Sequence, residues 1–302
     1  MGKIAFVFSG QGDQFPGMGK ALYDAYPEAA AVFEMCEALR PGTMAQCFSG
    51  TAEELQETEN TQPCLFAMEF AAAAVLTHAG ISPDAAAGFS LGEVTAAAAA
   101  GLFTPETGFR LVCRRGELMQ KAARMQDTAM AAVVKLEEKT VEEICRRFDG
   151  MYPVNYNCPG QITVSGLACR MPEFSRAVKA AGGRAIPLKV KGGFHSPFMA
   201  EAAADFGKVL ADVRLRETAI PLYSNVTAQP YAENGAELLA RQISSPVRWE
   251  TTIRNMIAAG IDVFVEIGPG NTLSNMIRKI NGSVKLCCCA QWDTLEKELS
   301  LC

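Results

Sequence analysis

The sequence predicts an α/β protein: a mainly parallel sheet covered by helices on both faces, interrupted by a smaller unit of different rhythm. Three observations point there. Strand-like runs alternate with helical stretches towards both ends of the chain. The middle fits four short strands and two helices into roughly sixty residues. Between them, Gly88-Phe89-Ser90-Leu91-Gly92 has the Gly-x-Ser-x-Gly spacing of a sharp strand-to-helix turn.

Composition narrows the class. With 302 residues, 49% of them hydrophobic and 20% charged, the chain can bury a large core and is not disordered. A net charge of -5 and the lack of a basic run argue against nucleic acid. No apolar stretch reaches the ~20 residues that a membrane helix needs. Eleven cysteines occur with no secretory signal and no Cys-x-x-Cys pair, so reduced thiols in a cytoplasmic protein are expected. Cys287, Cys288 and Cys289 fall in a strand-like run, where neighbours face opposite ways, and no metal site is expected there.

Taken in order, Lys3–Phe8 predicts a buried strand that runs into the loop Ser9-Gly10-Gln11-Gly12. Phe15 stands where a dinucleotide loop needs its third glycine, and no Gly-Lys-Ser/Thr follows, so both nucleotide motifs fail. Helices are predicted over Gln62–Ala79, Leu91–Ala100 with Gly101 as its stop, and Pro105–Ala123. Asp84–Ala87 has poor strand propensity, and only the following turn motif argues for a strand. Next come a strand at Met130–Leu136 and a helix opened by the capping box Thr140-x-x-Glu143 and running to Phe148. Strands at Tyr152–Asn157 and Gln161–Ser165, a helix from Pro172 to Gly182, and a strand at Arg184–Val190 complete a β-α-β-β-α-β order, that of a ferredoxin-like unit. Ser196-Pro197 reads as N-cap and first residue of a helix to Val213. Strands at Ala219–Val226 and Ile261–Ile267 and helices at Trp249–Ala259 and Thr272–Ile280 finish the large layer.

A serine needs a base within hydrogen-bond reach to act as nucleophile. The chain has two histidines. His78 sits in a helix's last turn, where an imidazole meets free carbonyls, a structural setting. His195 sits in the loop Gly192-Gly193-Phe194-His195-Ser196-Pro197, and by elimination it is the partner for Ser90. No acidic residue is singled out as a third member, and a backbone carbonyl is the alternative orienter.

These motifs fall in an order that resembles a known family. They are Ser9-Gly10-Gln11-Gly12-Asp13-Gln14, Gly88-x-Ser90-Leu91-Gly92-Glu93, Arg115-Gly116 with Met119-Gln120, Asn155-x-Asn157-x-Pro159-x-Gln161, Phe194-His195-Ser196 and Glu266-x-Gly268-Pro269-Gly270. Together they resemble the malonyl-CoA:acyl carrier protein transacylases over nearly the whole chain. The resemblance implies an α/β-hydrolase-like domain from 1–127 and 195–302, with a ferredoxin-like subdomain at 128–194 inserted. It implies Ser90 and His195 as the catalytic pair, and the N–H groups of Gln11 and Leu91 as the oxyanion hole. Arg115 is then the clamp for the malonyl carboxylate, Phe194 the residue that disfavours a methyl branch, and the Arg248 carbonyl the orienter of His195. Asn157 and Gln161 line the cleft on this reading, or are turn residues of the inserted sheet. Malonyl-CoA is the implied substrate with no permanently bound cofactor, acyl carrier protein the implied partner, and a monomer the implied state. Fatty acid biosynthesis is the implied setting; a polyketide-synthase acyltransferase and an acyl hydrolase using the same pair are the alternatives. Lys189, Lys191 and Arg184 are candidates for meeting an acidic carrier. Two residues depart from the family pattern: Phe89, where many members have His, and Asp13, where Ser is common. Asp13 either caps the following turn or brings a carboxylate near the oxyanion loop.

Overall fold

A computed structural model describes residues 2–190 and 192–289; Lys191 and residues 290–302 of the expected large domain lie outside the described residues. Lys3–Phe8 forms strand β1, with Ala5 to Phe8 buried because apolar side chains cover both faces. Ala85–Gly88 forms β2, alongside β1 and parallel to it. Its alanines are weak strand formers, but the strand is buried at every residue, and packing overrides propensity there. Four further strands make the second sheet: Thr128–Val134 (β3), Met151–Cys158 (β4), Gln161–Leu167 (β5) and Arg184–Pro187 (β6). Leu222–Tyr223 (β7), Ile261–Ile267 (β8) and Lys285–Cys288 (β9) return to the first.

The first sheet has the order β7-β2-β1-β8-β9, and every pairing in it is parallel. Parallel strands end along one edge. Phe8 is in register with both Gly88 and Ile267, so the loops beginning at Ser9, Phe89 and Gly268 leave side by side. That edge is where open α/β sheets place their chemistry. Glu266, at the end of β8, accepts the N–H groups of Leu273 (2.9 Å) and Ser274 (2.7 Å) and so caps the helix Thr272–Ile280.

The second sheet is antiparallel with the order β4-β5-β3-β6. Helices Glu138–Cys145 and Met171–Ala180 share a small core with it, through Val141, Ile144, Phe174 and Val178 against Val133, Ile162 and Val164. This is the ferredoxin-like order expected from the sequence. Main-chain bonds join the two sheets' surroundings: Val247 N–H donates to Val154 O (2.8 Å) and Tyr156 N–H to Val247 O (2.9 Å).

Several boundaries differ from expectation: the strand from Arg184 ends at Pro187, and the helix expected from Ser196 opens as a 3-10 turn at Pro197–Met199 before Ala200–Ala211. Three others have clear physical reasons. The capping box at Thr140 is unused: the helix already begins at Glu138, with acidic residues at its positive end. The strand expected at Ala219–Val226 shrinks to two residues. Pro221 has no N–H to give a ladder, and Ala228 closes a turn on Ser224 with a φ of 57°. The helix expected from Gln62 starts at Thr58, whose N–H is capped by Gln120 Oε1 at 2.9 Å, and it carries Pro63 internally. Among the described residues no helix is long and apolar enough to cross a membrane.

Candidate active site

The site starts at the turn between β2 and the helix Leu91–Ala99. Ser90 has φ 56° and ψ -107°, a strained conformation for a residue with a Cβ. The flanking glycines permit it. A Cβ on Gly88 would collide with the Gly92 carbonyl group, and one on Gly92 with the Phe8 carbonyl. Asn225 clasps the turn, accepting from Ser90 N–H (2.8 Å) and donating to Gly88 O (2.6 Å).

Ser90 Oγ lies 2.7 Å from His195 Nε2, and His195 Nδ1 lies 2.9 Å from the carbonyl oxygen of Gln242. A carbonyl can only accept, so Nδ1 carries the proton and Nε2 is left to accept the serine's. Burial pushes the imidazole's pKa down to about 4, the Arg115 charge pushes the same way, and the Gln242 carbonyl opposes both. His195 is therefore neutral at pH 7, the form a general base requires.

The orienting carbonyl is not that of Arg248. Arg248 O instead accepts from Thr252 N–H (2.9 Å) and Thr252 Oγ1 (3.0 Å) in the first turn of the helix Trp249–Ala258. Gln242 ends the helix Gly235–Gln242, where carbonyls lack intrahelical donors and the dipole's negative end favours an imidazole N–H. No helix had been expected over those residues.

Arg115 is buried within the helix Pro105–Met125. Its Nη1 donates to Gln62 Oε1 (2.7 Å), and its Nη2 to Gln242 Oε1 (2.6 Å) and Ser90 Oγ (3.3 Å). Burial lowers its pKa to about 10 and Glu93 counters, so it stays a cation. Its protein acceptors are neutral amides and a hydroxyl, which leaves the charge available to an incoming carboxylate. Gln242 is the hub. Its Nε2 donates to Ser90 O (2.5 Å) and to Glu93 Oε2 (2.8 Å), and these bonds turn its Oε1 towards Arg115. Glu93 also accepts from Tyr231 OH (2.5 Å), and burial raises its pKa to about 7. Sequence reasoning missed Gln62, Asn225, Tyr231 and Gln242; only Glu93 stood within a quoted motif.

A cavity of about 1000 Å³ opens beside this cluster, lined in part by Gln11, Thr58, Gln120, Arg124, Lys189 and Phe194. Gln11 and Phe194 thus stand at the cavity. The Gln11 side chain accepts from Thr58 Oγ1. Leu91 is the first residue of its helix, so its N–H has no partner one turn back. Asn157 and Gln161 are not among the residues lining the cavity. Asn157 donates to Thr163 Oγ1 (3.2 Å) within the antiparallel sheet, and Gln161 accepts from Lys279 Nζ (3.5 Å). Phe89 packs edge-on against Trp249, centroids 5.6 Å apart. Asp13 accepts from Thr272 Oγ1 (2.8 Å), pinning the glycine-rich loop to the helix Thr272–Ile280 in place of capping its own turn. His78 pairs on the surface with Glu28 at 3.1 Å.

Known proteins resemble this chain over nearly its whole length. The acyl transferase domain family matches residues 5–288. A malonyl CoA-acyl carrier protein transacylase of Bacillus subtilis (strain 168) is 39% identical, over 98% of this chain and 96% of that protein. A crystal structure of a malonyl CoA-acyl carrier protein transacylase from Clostridium perfringens superposes with a TM-score of 0.95 at 34% identity, covering 99% of this chain and 96% of that one. A malonyl-transacylase in complex with its type II PKS acyl-carrier protein superposes with a TM-score of 0.95 at 31% identity, covering 99% and 100%.

Proposed function

The chain belongs to the malonyl CoA-acyl carrier protein transacylases, and we propose that it moves a malonyl group from coenzyme A to the phosphopantetheine thiol of an acyl carrier protein through an acyl-serine at Ser90. The observation that carries this reading is the convergence on Ser90 Oγ of His195 Nε2 at 2.7 Å and Arg115 Nη2 at 3.3 Å. A base and a cation at one hydroxyl suit an acyl donor that bears a free carboxylate.

In the first half-reaction Ser90 Oγ attacks the thioester carbonyl and gives its proton to His195 Nε2. The tetrahedral oxyanion is held by the N–H groups of Leu91 and Gln11, worth about 3–4 kcal/mol per donor in a dry site. Collapse breaks the C–S bond, and His195 returns the proton to the departing coenzyme A thiol. The carrier's thiol then repeats the sequence in reverse, with His195 taking its proton as it attacks the acyl-serine. Arg115 holds the malonyl carboxylate throughout, and Phe194 narrows the space beside the acyl group. Every step is carried by side chains and backbone groups, with malonyl-CoA as substrate and no resident cofactor.

On this reading residues 128–194 form the smaller subdomain, the rest forms the larger one, and the enzyme works in the cytoplasm, supplying fatty acid synthesis. The likeness to a transacylase seen with a type II PKS carrier gives polyketide supply as the second reading. Intact-mass analysis after mixing with malonyl-CoA tests the first step: a malonyl adduct on Ser90 is expected, and its absence overturns the proposal. Transfer from that adduct to fatty-acid and polyketide carrier proteins decides the setting, while release of free malonate at an equal rate with carrier present would make the enzyme a hydrolase.

A further inference from the structure

The helix Thr58–His78 reads in sequence as alanine-rich packing, yet one of its buried sides carries three polar residues among its apolar ones. Thr58, Gln62 and Glu69 follow one another at intervals of four and seven residues, which places them on one face. Each touches a different part of the site. Thr58 Oγ1 donates to the Gln11 side chain and accepts from Gln62 Nε2 at 3.0 Å. Gln62 Oε1 accepts from Arg115. Glu69, at 0% exposure, takes Ser9 Oγ on Oε1 and Thr95 Oγ1 on Oε2, each at 2.7 Å.

The two residues that Glu69 joins lie just behind the two oxyanion donors. Ser9 opens the loop that carries Gln11 two residues later. Thr95 lies one helical turn beyond Leu91, on the same side of the helix. We propose that Glu69 is a positioning residue for the oxyanion hole: by holding loop and helix on the two oxygens of one carboxyl, it sets the spacing between the Gln11 and Leu91 N–H groups. The inference rests on the reading of those two groups as the oxyanion hole.

Ser9 has little slack to drift if this tie is kept. Its N–H donates to Ile267 O at 3.1 Å, and its side chain occupies the space that a Cβ on Gly268 would need. The chemistry of the tie also suits the site. Burial pushes the Glu69 pKa up to about 8, the two hydroxyls oppose this, and Glu266 adds to it. A carboxyl that is mostly neutral at pH 7 adds little negative charge behind a hole that must stabilise an anion.

The test compares Glu69→Leu and Glu69→Gln with the parent enzyme, using malonyl-CoA and acetyl-CoA and reading kcat, KM and thermal midpoint. Glu69→Leu should lower kcat at least tenfold for both donors while each KM changes less than threefold. Glu69→Gln, whose amide oxygen still accepts from one hydroxyl and whose amide nitrogen can donate to the other once that hydroxyl turns, should recover most of that loss. A residue that only supports the core would lower the midpoint and leave kcat per acylatable serine intact, and that result overturns the proposal. So does a loss confined to malonyl-CoA. If Glu69→Leu does not fold, Thr95→Val and Ser9→Ala each remove half of the tie, and each should lower kcat for both donors; unchanged kcat in both overturns it. Failure of the parent to form a malonyl adduct would instead sink the proposed function, so the two failures are distinguishable.

Discussion

Replacing Arg115 by alanine tests the clamp separately from the catalytic pair. In the dry pocket the guanidinium can give a substrate carboxylate two charge-assisted hydrogen bonds, each worth about 1.5–3 kcal/mol. Allowing for the cost of stripping water from the carboxylate, the net loss for malonyl should be about 3–4 kcal/mol, or roughly 10²–10³-fold in kcat/KM. The protein itself should survive. The substitution leaves the Oε1 atoms of Gln62 and Gln242 without this donor, at about 1–3 kcal/mol each, but it also removes a buried cation that has no direct carboxylate partner among the described residues. Acetyl transfer, which does not use the clamp, should persist or rise. His195 gives an internal check. The Arg115 charge is the second cause of its lowered pKa, so removing that charge raises the pKa and should move the acidic limb of the kcat/KM profile for acetyl-CoA upwards from about 4. The assay is stopped-flow acylation by malonyl-CoA and acetyl-CoA across pH. Equal losses for both donors with an unmoved limb would make Arg115 a structural residue and refute the reasoning.

Other substitutions test the remaining parts. Ser90→Ala should abolish the acyl adduct seen by intact mass, and an adduct of unchanged yield would remove Ser90 as nucleophile. His195→Ala should slow acylation about 10³-fold or more, by analogy with loss of the base in serine hydrolases, and a mild effect would point to another base. Gln242→Ala keeps the backbone carbonyl that orients His195 but removes the amide beside Arg115. It should therefore lower malonyl preference while the serine stays reactive towards acetyl-CoA. Phe194→Ala should raise methylmalonyl use relative to malonyl by about 10-fold or more, since one methyl's worth of space is worth ~1–3 kcal/mol; an unchanged ratio in a competition assay would free Phe194 of that role.

The parts legible in the sequence were those with a fixed local signature. Gly88-x-Ser90-x-Gly92 forced a strand onto Ala85–Gly88 against its propensity, because only that turn lets two glycine-tight segments meet. His195 could be found by elimination in a chain with two histidines. The β-α-β-β-α-β order survived errors at its boundaries, because period and turn residues fix the sequence of elements more firmly than their ends.

What stayed hidden lies in contacts between distant segments. Gln242 is 47 residues from His195 and 127 from Arg115, and a lone glutamine carries no local mark of either contact. A backbone carbonyl is harder still to foresee, since every residue has one and only the fold decides which are left without other donors. The Arg248 error follows from this: the family resemblance implied the carbonyl of residue 248, but the helix beginning at Trp249 had already claimed it with Thr252. The same cause hid the role of the helix Thr58–His78. Its Thr58, Gln62 and Glu69 look like scattered polar residues in an alanine-rich run, and become a line of anchors only when the loop at Ser9, the helix at Thr95 and Arg115 are folded against them. The reacting groups of this enzyme can be read from motifs, whereas the residues that hold those groups in place are specified by the fold.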